Sequence, residues 1–206
     1  MFLQSLLIGI LYFFCRWNPF YTSWLEASCT PMFLSVIIGF IMGDVTSAVI
    51  VGAYVQTVYL GLITGLGGVA TVDKSLGSCI IIPLAVASGM SPELAVSMAI
   101  PFGLLGTLTI NLSKVFSSFA ASRCDKAAEE GNAAKFRRIH LGYAAGFWSI
   151  FGIIPVTLIN YFGPSAVTSV VNAIPERLVT GLTVAGGLMP ALGFAMTVRV
   201  IGRKNY

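Results

Sequence analysis

The sequence predicts an all-α fold, a polytopic transmembrane helix bundle with broken or re-entrant segments in its N-terminal half. Of its 206 residues, 56% are hydrophobic and only 10% charged, against about 25% charged in a soluble domain. Its apolar runs are continuous rather than alternating, which favours helices over a membrane barrel. Several runs in the first half are too short to cross a bilayer, whereas those in the second half each exceed the roughly 20 residues that crossing needs.

The second half is the plainer one. Leu94 to Ala121, Leu141 to Gly163 and Leu178 to Ile201 each read as one spanning helix. Between the first two lies "SRCDKAAEEGNAAKFRRIH", Ser122 to His140, with Arg123, Lys126, Lys135, Arg137 and Arg138, five of the twelve basic residues. A short basic connection beside spanning helices stays in the cytoplasm. The third run then returns Arg199, Arg203 and Lys204 to the same side, so two basic clusters agree on one orientation. The net charge of +4 is spent at these membrane edges, a distribution that suits a lipid bilayer and no nucleic acid. "GPSAVTSVVNAIPE", Gly163 to Glu176, reads as a connector on the outer face.

The first half is irregular. Phe2 to Cys15 is barely long enough to cross, and without a basic flank or a small-residue cleavage site it is expected to be retained. Phe33 to Asp44 is short and ends on an acid that is well placed to cap the next helix, Val45 to Thr64. Gly77 to Met90 is short again and contains Pro83. Segments of this length read as half-helices or re-entrant hairpins.

A pair of broken segments, one in each half, is the sequence pointer to a transporter's central site. The candidates are "GLITGLGGVATVDK", Gly61 to Lys74, and "VAGGLMPALG", Val184 to Gly193. Small residues also let helices pack closely in membranes, and both readings stand for the second segment. Two polar stripes lie at helical spacing: Ala48, Gly52, Gln56 and Tyr59, then Gly103, Thr107, Asn111 and Lys114. Gln56 needs partners at mid-span, either another helix or a solute's hydroxyls. Asp73 pairs with Lys74 or presents its carboxylate to sugar hydroxyls. The face bearing Gly142, Ala145, Ser149 and Gly152 is small enough to seek another helix.

Cys15, Cys29, Cys79 and Cys124 lack metal-ligand spacing and read as small core residues. No metal site, phosphate-binding glycine run, nucleophile elbow or other catalytic apparatus is legible, and none implies a cofactor. His140 reads as an interfacial residue rather than a phosphoacceptor.

The stretches "IIGFIMGDVTSAVIVGAYVQTVYLGL", "AIPFGLLG", "DKAAEEGN" and "NAIPERLVTGLTVAGGLMPALGFAM", in that order, resemble the IIC component of the mannose/fructose/sorbose family of the bacterial sugar phosphotransferase system. The likeness runs from about Cys29 to the last residue. It implies a multi-pass permease subunit of the bacterial inner membrane, without catalytic residues of its own. It implies a IID membrane partner, a higher oligomer, and a cytoplasmic IIAB protein (or separate IIA and IIB) that phosphorylates a hexose or amino-hexose on arrival. It also places Gln56, Thr64, Gly67, Gly68 and Asp73 in the sugar-binding region. Val69 and Thr71 stand where the family often carries a proline and a polar residue. Family members run on for roughly two more membrane segments, so residues 1–206 are expected to form one IIC-like domain without them.

Overall fold

Glycine and proline positions decide where the helices of the first half stop. The computed structural model describes residues 1–17, 28–62, 72–173 and 175–203. Helix α1 (Phe2–Arg16) ends at Trp17. Helix α2 (Pro31–Met42) begins on a proline, whose missing N–H is one the first turn leaves unpaired anyway, and stops at Gly43 in the left-handed region (φ 83°). Asp44 then caps helix α3 (Val45–Leu62), with the Ser47 N–H donating to Asp44 Oδ1 at 3.0 Å. The Ser47 hydroxyl and N–H together hold the Asp44 carboxyl below its usual pKa. Helix α4 (Lys74–Ser88) starts at Asp73 and ends at Gly89, also left-handed (φ 64°).

The 12 residues of α2 and 15 of α4 extend about 18 and 23 Å at 1.5 Å per residue, short of a hydrocarbon core about 30 Å thick. They are the half-length elements that the first half predicts. Pro83 inside α4 frees the Cys79 carbonyl, and Asn160 Nδ2 donates to it at 2.9 Å. Both residues are buried, so a backbone group that lipid would leave unpaired is satisfied from another helix.

The second half is longer-limbed. Helix α5 (Pro92–Glu129) has 38 residues, about 57 Å, and must project well beyond the hydrocarbon. A turn at Glu130–Asn132 leads to α6 (Ala133–Trp148), where Asn132 Oδ1 accepts the Lys135 N–H at 2.9 Å. A π-helical turn, Ser149–Ile153, precedes Pro155 and joins α6 to α7 (Ile154–Ala173). Helix α8 (Glu176–Arg203) closes the described chain. The stretches Pro92–Glu129, Ala133–Val167 and Glu176–Ala195 are long and apolar enough to cross a membrane.

Helices α3, α4 and α5 pack on one another, α2 lies on α3 and α4, α1 on α4 and α7, and α8 on α3 and α5. The core runs through Ile8, Ile38, Val55, Ile81 and Val96. Cys29, Cys79 and Cys124 are buried among it or beside it, as small apolar residues would be.

Three sequence expectations are corrected. The Val184–Gly193 segment is not broken: α8 runs straight through it with Pro190 inside. Its glycines are contact points, since Gly186 lies against the Glu93 carbonyl and Gly193 against that of Thr57. Gly163–Glu176 is helical as far as Ala173 rather than a connector. The basic segment Ser122–His140 is mostly helix, with only its middle forming a turn. The small face divides: a Cβ at Gly152, in the π-helical turn, would sit 3.4 Å from the Tyr12 ring, whereas one at Gly142 on α6 would enter open space.

Candidate functional site

The N-terminus of α4 starts deep inside the bundle, and glycine makes that possible. Gly103 and Gly106 on α5 lack the Cβ atoms that would collide with Val72 and Asp73. The chain therefore seats there, and the Asp73 N–H donates to the Gly103 carbonyl at 3.0 Å. The Thr107 hydroxyl donates to the same carbonyl. A half-helix thus opens against the first half of a helix 38 residues long.

Asp73 is the centre of this arrangement. Its Oδ1 accepts the N–H groups of Ser75 (3.0 Å) and Leu76 (3.1 Å), satisfying the first turn of α4. Its Oδ2 accepts the Tyr12 hydroxyl at 3.0 Å and lies 3.8 Å from Arg16 Nε. The side chain is 1% exposed. The cation beside Asp73 is therefore Arg16 rather than its neighbour Lys74, and in this conformer the carboxylate is occupied by protein donors. Arg16 is itself held over the Trp148 ring, 5.0 Å from its centroid, a favourable place for a guanidinium.

Gln56 sits one helix away. Its Oε1 accepts the Met32 N–H at 3.4 Å, near the long limit for a hydrogen bond, and the residue is only partly buried. The rest of its stripe packs: Ala48 is buried, Gly52 lies against Ser35, and the Tyr59 hydroxyl donates to the Ala99 carbonyl at 2.6 Å. Of the second stripe, Gly103 and Thr107 face inward while Asn111 and Lys114 are exposed. Thr64, Gly67 and Gly68 lie outside the described residues.

Tyr12 and Arg16 are the residues that sequence reasoning missed. Each lies in the first apolar run, some 60 positions from Asp73, and nothing local signals the pairing. An arginine closing an apolar helix was the one available hint.

Comparison with known proteins places this geometry. Residues 2–206 match a family model described as the sorbose-specific IIC component of the phosphotransferase system. The chain is 29% identical over 185 residues to N-acetylgalactosamine permease IIC component 1 of Escherichia coli (strain K12), covering 89% of this chain and 68% of that protein. It is 30% identical over 177 residues to the sorbose-specific EIIC component of Klebsiella pneumoniae, covering 84% and 65%. The chain thus spans about two thirds of the length of these relatives. Its fold is similar to a chain in the cryo-EM structure of the mannose transporter ManYZ with microcin E492, with a TM-score of 0.71 and 25% identity over 98% of this chain and 80% of that one.

Proposed function

The chain belongs to the sorbose-specific IIC family of the phosphotransferase system, and we propose from that premise that it is a sugar-permease subunit. It provides part of a hexose path through the bacterial inner membrane, together with a IID membrane subunit. A cytoplasmic IIAB protein, or separate IIA and IIB, phosphorylates the sugar as it arrives, so this chain needs no catalytic group. The IID pairing is supported by the ManYZ likeness, and the sugar class by the names of the two relatives.

The observation that carries the reading is the half-helix α4, whose capped end meets α5 at Gly103 and Gly106. Interrupted helices meeting near mid-membrane are how transporters bring polar backbone to a solute without exposing it to lipid. The proposed sugar-binding set is Gln56, Thr64, Gly67, Gly68 and Asp73. Within it Asp73 fixes the end of the segment from inside, while the Gln56 amide, loosely held by protein, is free to exchange its weak bond for a sugar hydroxyl.

Gln56→Leu tests this. Losing one hydrogen bond to an uncharged hydroxyl costs about 0.5–1.5 kcal/mol, a several-fold rise in KM. Because its protein bond is 3.4 Å long, the substitution is expected to leave the amount of assembled complex unchanged. An unaltered KM for sugar uptake in properly assembled complex removes Gln56 from the site.

Orientation is tested separately. The ends of α5 and α6 that flank the Glu130–Asn132 turn carry the basic cluster, so a cysteine introduced as Ala134→Cys is expected to react with an impermeant maleimide in inside-out vesicles only. Labelling in intact cells above that of the unsubstituted chain reverses the topology.

A further inference from the structure

At the basic end of the bundle, a cavity of about 580 Å³ opens between α1, α5 and α6, within the roughly 300–1,000 Å³ that small-molecule sites occupy. Arg16, Trp17 and Trp148 line one side of it, and Ser117, Asp125 and His140 another. The second set is exposed, so the cavity communicates with solvent at that end.

One donor on the buried side is poised without an acceptor, and a cation stands beside it. Trp17 Nε1 is shielded from solvent and no described protein atom accepts from it, whereas Arg16 Nε is turned toward Asp73 Oδ2, 3.8 Å away. Both are held in place: Trp17 stacks on Phe13 with centroids 5.4 Å apart, and the Arg16 guanidinium lies over Trp148. Fixed buried donors are costly to leave unpaired and cheap to use, because no side-chain freedom is lost when a ligand arrives.

We infer that this cavity is a second sugar subsite, an exit vestibule where an uncharged hexose rests after leaving the membrane path. The wall chemistry selects for it. Indole and phenyl surfaces suit the C–H faces of a pyranose, and Arg16 with Asp125 offers a planar donor and a planar acceptor for its hydroxyls. Arg16 is already balanced by Asp73, so the lining carboxylate of Asp125 disfavours a phosphate ester against the free sugar. A phosphorylated product is therefore released rather than retained. The inference rests on the permease reading and places the sugar at this end just before it is phosphorylated.

The test uses the full chain with a co-expressed IID-like partner in inside-out vesicles. Ser117→Cys is expected to react with an impermeant maleimide, and mannose, sorbose or N-acetylgalactosamine, offered separately, to slow the reaction several-fold for the transported sugar. Adding Asp125→Asn or Trp17→Phe should abolish most of that protection while leaving the sugar-free labelling rate unchanged. Protection that survives both substitutions places the sugar elsewhere and overturns the vestibule. So does absence of protection by a sugar whose uptake the unsubstituted chain supports, and the permease reading then stands. Absence of both uptake and protection for all three sugars overturns the permease reading, and the vestibule with it.

Discussion

Asp73→Ala is expected to abolish accumulation of folded protein. The alanine leaves the Ser75 and Leu76 N–H groups and the Tyr12 hydroxyl without their acceptor, each at about 1–3 kcal/mol when buried. It also strips the nearby Arg16 of its counter-charge. Together these amount to several kcal/mol, a large share of the roughly 5–15 kcal/mol that holds a domain folded. Asp73→Asn keeps an oxygen for the two N–H groups but loses the charge, so it should accumulate at a reduced level with a lowered melting temperature. Tyr12→Phe, which removes a single donor, should cost least of the three. Fluorescence-detected size exclusion of the detergent-extracted complex gives the order directly. An Asp73→Ala chain that elutes and melts like the unsubstituted protein would show that the carboxylate does not hold α4 in place.

That ordering bears on transport as well. Because Asp73 pins the end of the Gly61–Lys74 segment from within, any loss of uptake in its variants must be normalised to assembled protein before it speaks of sugar contact. Gln56 is the cleaner probe, since its one described protein bond is weak.

The parts of the fold that were legible in the sequence are those governed by local chemistry. The half-length of α2 and α4 is set by Gly43 and Gly89, where only a residue without Cβ turns left-handed at no cost. Asp44 as a cap follows from its position just before an apolar helix. The long apolar runs of α5 and α8 needed only length and hydropathy. Misreadings arose where one residue type serves two purposes. Gly186, Gly187 and Pro190 resemble a helix break, yet in an apolar helix glycine allows close approach and a single proline is tolerated. The segment "DKAAEE" reads as part of a connection because it lies between two apolar runs, although alanine, lysine and glutamate are strong helix formers once outside the membrane. The site was legible only in part. The Gly-rich run and Asp73 drew notice by composition, but Tyr12 and Arg16 reach Asp73 through tertiary packing, which no spacing rule encodes. The vestibule is illegible for the same reason: its walls join the end of α1 to the α5–α6 hairpin far along the chain.

Gly186→Ala and Gly187→Ala, though adjacent, should shift stability in opposite directions. A methyl at Gly186 falls on the backbone carbonyl of Glu93, which cannot swing aside, so α8 must move away from α5 at about 1–3 kcal/mol. Moving it also strains the bond from the Ser97 hydroxyl to the Leu182 carbonyl (2.8 Å), one turn away on each helix. A methyl at Gly187 meets nothing nearer than Glu93 Cγ at 3.7 Å, an ordinary contact. There the better helix propensity of alanine, up to about 1 kcal/mol, goes uncontested. Helix α8 is sensitive to such changes because it docks on α3 and α5 along one side while only 11% of its apolar window is buried within the chain. Its next close approach, Gly193 against the Thr57 carbonyl, is beside Gln56, so displacing α8 disturbs the helix that carries the proposed sugar ligand. Thermal melts of both variants in the same detergent read the sign of each change. Equal melting temperatures for the two would mean that α8 does not dock through Gly186, and that its close seat on α5 contributes nothing to holding the bundle together.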